Sequence, residues 1–373
     1  MDLALNEEQL AVQELAGRIL SETLPPERLK EIEASDAWFA ADTWAELAKA
    51  DLLGLCLPES VGGGGYGTFE LALLLEQVGR AVAPVPVYGT IVLGALAIAE
   101  FGSEAQRGAW LPGVIAGDVH LTAALGEGGD GVPPVVPATE AVADGDGWLI
   151  TGTKALVPNV GPAARVLVAA RTGDGTSTVF LVDPAAAGVT SVQNVSLNRE
   201  PLTTLRLDGV RVGADDVLGE VDGGAAVVAW ITDRATAALC AIQAGVCEAA
   251  LRITATYTSE RRQFGTPIAT FQAVAHRAAD AYIDTEAVRL TAYQAAWRLG
   301  EGLPATEELA IAKFWAAEGA QRVVHAAQHL HGGIGVDIDY PVHRTFRWAK
   351  HVELSLGGAN TQLRRLGAEL AAG

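Results

Sequence analysis

The sequence predicts an α+β fold in three parts: an N-terminal helical domain (residues 1–117), a middle antiparallel β domain (118–219) and a C-terminal four-helix bundle (220–373). Three observations carry this prediction. Apolar residues recur at helical spacing through the first third. Near Gly117 that texture gives way to short β-type runs between turn formers. After Gly224 the helical spacing returns in longer segments. At roughly 100–200 residues per domain, 373 residues suit two or three domains. Half of the residues are hydrophobic and only 6% are aromatic, so the core reads as closely packed Ala- and Gly-rich helices.

The elements follow in order. Asn6 with Gln9 has the form of a helix cap and its capping-box partner. Val12, Leu15, Ala16, Ile19 and Leu20 then keep helical spacing. Trp44 to Leu53 and Leu71 to Val82 repeat the pattern, separated by the breaker-rich stretch Leu57 to Gly67. In the middle third the β-type runs are Trp148 to Thr151, Arg165 to Ala170, Thr178 to Val182 and Leu205 to Leu207. The last third holds candidate helices from about Ala225 to Ser259, Ile268 to Leu299 and Thr306 to Leu330, with a fourth beginning near Val342. Pro267, Pro304 and the Gly332-Gly333 pair punctuate them.

A formal net charge of −19 repels phosphate backbones and anionic lipid, so neither nucleic acid nor a membrane surface is an expected partner. An anionic ligand would need a local cationic pocket. Cys56, Cys240 and Cys247 are an odd, scattered set, which is no disulfide framework. The N-terminus lacks a basic, apolar signal sequence. Val87 to Ala99 is too short for the roughly 20 residues that span a bilayer. The expectation is a soluble cytoplasmic protein.

Some motifs look chemical and carry little. Gly62, Gly64 and Gly67 fit the dinucleotide spacing, but that loop must follow a strand inside a βαβ unit. His325 and His329 share a helix face with His331 nearby, yet Ala326 stands where a zinc protease needs glutamate. No metal site is expected. Gly126 to Gly131 lacks the alternating oxygens of a calcium loop and reads as a turn.

One constellation is more specific. Arg261-Arg262-Gln263-Phe264-Gly265 and Phe271-Gln272 are followed by His329-Leu330-His331-Gly332-Gly333-Ile334-Gly335, then by Tyr340 to Arg344 and Arg347 to Lys350. In order and spacing this resembles the acyl-CoA dehydrogenase family. Leu57 to Gly67 leading into Leu73 to Arg80, and Asp146 to Lys154, extend the likeness over essentially the whole chain. The resemblance implies FAD as cofactor, an acyl-CoA thioester as substrate and an electron-transfer flavoprotein or similar acceptor. The reaction removes a proton from the α carbon and a hydride from the β carbon. FAD takes the hydride while the protein positions and polarises. By resemblance Arg261 meets the FAD pyrophosphate and Phe264 packs near the adenosine end. Gln272, His329, Gly332 and Gly333 complete the contact, reaching across an interface to a neighbouring subunit's flavin.

The chain departs from that pattern in four places. Gly358 falls where the catalytic glutamate is usual, and glycine cannot take a proton. Some relatives place the base early on the long helix, where Asp233 stands in imperfect register; its bland reading is a helix-start aspartate favoured by the dipole. The usual Trp-Ile-Thr-Asn loop reads Leu156-Val157-Pro158-Asn159, without the indole or the threonine hydroxyl. Leu121 to Asp130 is a degenerate form of the family's flavin-facing loop. Finally, His329 replaces the usual glutamine, with Gln328 one place earlier.

Groups that hold a subunit's own flavin and substrate are thus eroded, and those offered to a neighbour are mostly kept. Some actinobacterial members of the family form heterotetramers, several acting on steroid-derived thioesters, in which one subunit type carries the base and the other completes the FAD site. The resemblance implies such an assisting subunit. A self-sufficient homotetramer using Asp233 and a non-redox binding protein on the same fold stand as alternatives.

Overall fold

The computed structural model describes residues 4–35, 38–128 and 132–372. Helices come first: α1 (Glu7–Thr23), α2 (Pro26–Ala34), α3 (Ala41–Lys49), α4 (Thr68–Arg80), a π-helix (Tyr88–Ala95), α5 (Leu96–Phe101) and α6 (Glu104–Ile115). Eight strands follow: β1 (His120–Ala124), β2 (Glu140–Asp144), β3 (Gly147–Pro158), β4 (Ala163–Arg171), β5 (Ser177–Val182), β6 (Val189–Val195), β7 (Pro201–Gly213) and β8 (Val217–Leu218). The chain then forms α7 (Gly224–Glu260), a small hairpin of β9 (Arg262–Gln263) and β10 (Thr266–Pro267), and α8 (Gln272–Gly300). It ends in α9 (Thr306–Phe314), α10 (Ala320–His331), α11 (Val342–Leu354) and α12 (Ala359–Ala372). This is the expected mixed α+β architecture. The predicted cap is present: the Asn6 side chain accepts from the Gln9 amide at 2.8 Å, and Gln9 accepts from the Asn6 amide at 3.0 Å.

Two compact units draw on the N-terminal helices. One gathers residues 1–36, 68–83 and 236–373; the other gathers 37–67 and 84–235. In the second unit the sheet runs β6-β7-β3-β2-β4-β5-β8, with β1 beside β4. Most neighbours are antiparallel, as the sequence predicted, but β1 lies parallel to β4 and β2 touches β4 through one parallel pair. A parallel neighbour needs a long connection, and the segment holding β2 and β3 provides it between β1 and β4. Strands β2 and β6 were illegible because most of their positions face water, leaving no apolar alternation to read.

In the first unit, α4 and α7 cross with backbones in contact. A Cβ at Gly79 would sit 1.9 Å from the Ile242 carbonyl oxygen, and one at Gly245 would sit 1.8 Å from that of Glu76, so only glycine fits at either place. Beside the crossing, Arg289 on α8 bonds Glu76 at 3.0 Å and Glu248 at 2.7 Å. The nearby core is mostly alanine, with Ala237, Ala292, Ala295, Ala312 and Ala316 around Cys240 and Leu309. Helix α7 is long and apolar enough by composition to cross a membrane, but 56% of its apolar window is buried, as in a core helix. The predicted helix from Thr306 to Leu330 is interrupted by a π-turn at Trp315–Gly319. There the Gln243 amide donates to the Ala316 carbonyl at 2.8 Å, taking up an acceptor in the interrupted ladder.

Candidate functional site

The cofactor-binding set predicted in the first unit faces outward. Arg261 follows the last turn of α7, its amide bonded to the Tyr257 carbonyl at 2.8 Å. The β9–β10 hairpin then turns at Phe264 (φ +51°) and Gly265 (φ +84°). Arg262 closes the turn by donating to the Gly265 carbonyl at 2.8 Å. Phe264 is left 94% exposed, which no intrachain packing explains. Gln272 opens α8 and is also exposed.

Helix α10 runs antiparallel to α8, pinned by Arg322 on Asp284 at 2.6 Å. A cleft of about 640 Å³ lies between them, and Ala273 and His329 both line it. The start of α8 and the end of α10 therefore share one end of the cleft. Gln328 turns inward, its amide donating to the Gly335 carbonyl at 2.5 Å, which leaves His329 as the exposed side chain. Gly332 adopts φ +62°, ψ −139°, open only to glycine. Gly333 has no such need, and a Cβ there would meet nothing within 4 Å.

The side chains of Arg261, Gln272 and His329 make no hydrogen bond or ion pair among the described residues. An unpaired guanidinium, an exposed aromatic ring and an open glycine turn suit an anionic, aromatic ligand. FAD has that chemistry, and these residues fit it.

The eroded positions look different. Gly358 follows a turn held hard from beneath. Lys313, fully buried on α9, donates to the carbonyls of Val352 at 3.0 Å and Glu353 at 3.1 Å. Burial pushes its ammonium down to about 8. Gln362 donates to the Leu356 carbonyl at 3.1 Å and that of Gly357 at 3.3 Å. Leu356 (φ +53°) and Gly357 (φ +87°) are both left-handed. At Gly358 itself a Cβ would meet only the Glu353 carbonyl oxygen, at 3.8 Å. Neither backbone nor packing excludes a glutamate there.

In the second unit the Leu156 to Asn159 loop keeps strain as well. Leu156 (φ +56°) is 57% exposed, and Asn159 (φ +53°) is buried, its amide donating to Glu200 at 3.0 Å. Of the degenerate loop, Gly129, Asp130 and Gly131 lie outside the described residues, but Glu127 is firmly placed. It accepts from buried Lys154 at 2.7 Å and from the Thr139 amide at 2.9 Å. Those bonds hold its pKa below the usual range even though burial acts to raise it. Asp233 sits in the third turn of α7, past the first turn on which the helix dipole acts, so the dipole does not explain it. It is half-buried beside Arg234, whose guanidinium lies 3.5 Å from the Trp230 ring centroid.

The histidine cluster is dispersed: His325 packs on Phe346 and His331 on Tyr257. Among the described residues no group of three or more ligating side chains could hold a metal. The glycine-rich loop before α4 follows a 3₁₀ turn at Glu59–Val61 and no strand, so the dinucleotide-loop context is missing. Sequence reasoning missed Lys313 and Gln362. A lone lysine inside the apolar run from Leu309 to Ala317 was the available signal.

A family model described as "Acyl-CoA dehydrogenase, N-terminal domain" matches residues 6–118, and one described as "Acyl-CoA dehydrogenase, C-terminal domain" matches residues 222–371. Acyl-CoA dehydrogenase FadE27 of Mycobacterium tuberculosis is 39% identical over 97% of this chain and 97% of that protein. Among solved structures, the chain resembles a glycine-to-alanine variant of the Tcur3481-Tcur3483 steroid ACAD, with 46% identity, TM-score 0.90 and coverage of 98% and 99%. It also resembles the ChsE4-ChsE5 complex of Mycobacterium tuberculosis, with 39% identity, TM-score 0.93 and full coverage of both chains.

Proposed function

The chain belongs to the acyl-CoA dehydrogenase family, and on that premise we propose that it is the base-lacking, FAD-completing subunit of a heterotetrameric acyl-CoA dehydrogenase. The observation that carries this reading is a pairing. Gly358 stands where a carboxylate would take the α proton, while Arg261, Gln272, His329 and Phe264 face outward with no use inside the chain. FAD, when bound, supplies the hydride acceptor for the β carbon of the thioester. Arg261 would hold the pyrophosphate of the partner's cofactor by charge-assisted hydrogen bonds. Phe264 would pack near the adenosine end. His329 and Gln272 would donate polar contacts, and the open Gly332-Gly333 turn would let the backbone approach closely. Tyr282, Ile283 and Leu290 expose apolar surface along α8, which suits burial against a partner. The partner's carboxylate removes the α proton.

A steroid-derived thioester is the proposed substrate class, supported by the two solved relatives of that description or its heteromeric kind. An electron-transfer flavoprotein or similar acceptor would reoxidise the flavin. The deciding experiment is co-expression with a second acyl-CoA dehydrogenase-like chain, reading FAD per chain and turnover of short, long and steroid thioesters. Stoichiometric FAD and full turnover in the chain purified alone would refute the proposal. If that turnover vanished in Asp233→Asn, a self-sufficient enzyme would replace it.

A further inference from the structure

Two of the outward-facing elements are joined behind the surface by one aromatic cluster. Tyr257, near the end of α7, stacks on His331 with ring centroids 4.5 Å apart and planes inclined by 23°. Tyr340 packs against both rings, at 6.0 Å and 5.1 Å. The Tyr257 hydroxyl donates to the His331 carbonyl at 3.4 Å, and the Tyr257 carbonyl accepts from the Arg261 amide at 2.8 Å. Gly332 and Gly333 follow His331 directly. A single stack therefore ties the Arg261 backbone to the glycine turn, although the two are far apart in sequence.

His331 is an unusual choice for packing alone. It is 3% exposed, and its Nδ1 bonds the Ala327 carbonyl at 2.7 Å. A carbonyl only accepts, so Nδ1 carries the proton and Nε2 is the bare acceptor. Nε2 is buried and meets no hydrogen-bond partner among the described residues. A phenylalanine would fill the same space without a desolvated nitrogen. The Nδ1 bond fixes the ring plane against Tyr257 and occupies a carbonyl near the end of α10.

We propose that Tyr257 and His331 are positioning residues of the shared flavin site: their stack sets the Gly332-Gly333 turn relative to Arg261, so the chain presents one rigid anion-binding edge to its partner's cofactor. The proposal rests on the subunit reading above. It also carries a pH signature. Burial holds the His331 pKa below its ordinary value of 6.5. The neutral ring's contribution is complete above about pH 6.5 and is lost as the pH falls through the folded pKa. Tyr257 and Tyr340 face the ring, and Glu260 adds negative charge near Tyr340.

The test uses the purified heteromer with FAD and measures FAD dissociation and melting temperature from roughly pH 5 to 8. Tyr257→Leu is expected to weaken FAD binding about tenfold or more, with assembly intact, and Tyr257→Phe to restore most of it. His331→Phe, which keeps the stack and loses the Nδ1 bond to Ala327, is expected to weaken FAD binding at neutral pH by less than Tyr257→Leu does and to remove the acid-linked loss of FAD seen in the wild type. Wild-type affinity in Tyr257→Leu, or an unchanged acid limb in His331→Phe, would overturn the proposal. Should Tyr257→Leu fail to assemble, the two phenylalanine variants decide it. If the chain alone binds FAD and turns over, the subunit reading fails, while the same affinities measured on that chain still judge the stack.

Discussion

The outward edge around Arg261 and the turn before Gly358 belong to the same compact unit and have opposite characters. The edge turns its polar side chains outward with almost no internal support for them: the side chains of Arg261, Gln272 and His329 make no hydrogen bond or ion pair among the described residues. The turn presents only glycine at position 358 and is well supported, with buried Lys313 and Gln362 holding four carbonyls between them. The Leu156 loop of the other unit resembles the turn, since it keeps left-handed strain without the usual threonine. Ligand-facing and fold-supporting groups are separate in this molecule: the turn is bonded through its backbone carbonyls, so its support does not depend on the side chain at position 358.

The comparison makes predictions that can break it. The largest concerns turnover. Adding the base-bearing partner should raise dehydrogenation by about 10²–10⁴-fold over this chain alone, the usual contribution of a general base. Steady-state rates with and without the partner check this.

Next comes Arg261→Gln. Losing a charge-assisted contact of roughly 1.5–3 kcal/mol should weaken FAD retention in the heteromer by about 10- to 100-fold. The melting temperature of the isolated chain should stay unchanged, because Arg261 supports nothing within it. A large drop in stability would contradict the division drawn here.

Gly333→Ala sharpens the same point at smaller scale. Its Cβ enters open space at an ordinary φ, so the isolated chain should melt as the wild type does. FAD retention in the heteromer should fall by about three- to tenfold, on the order of 1 kcal/mol. Fluorescence of released flavin reports it.

The smallest effect belongs to the eroded loop. Leu156→Asn replaces an exposed, left-handed leucine with a residue that tolerates that conformation. Stability should rise by about 0.5–1 kcal/mol by denaturant titration, with turnover of the heteromer unchanged. A loss of turnover would mean that the loop still serves the reaction.

Much of this was legible in the sequence for a physical reason. Helical spacing, turn formers and the capping box at Asn6 are local signals, and local hydrogen bonding turns them directly into elements. The motif from Arg261 to Gly265 and the glycine at position 358 are likewise plain in the sequence. Strands β2 and β6 are not, because their neighbours across the sheet stabilise them rather than any pattern of their own. The π-turn at Trp315–Gly319 also escaped; one of its carbonyls, Ala316, is met by Gln243, which is distant in sequence.

By itself, then, the sequence determined most of the element types and the family resemblance. Only the tertiary structure decided what each group does for the fold. It distinguished Gly332, which the backbone demands, from Gly333, which it does not. It showed Gln328 turned inward and His329 left outside. It brought Tyr257 and His331 into one stack. Burial and hydrogen-bond partnership depend on what lies across a contact, and for the Tyr257–His331 stack the residue on the far side is distant in the chain.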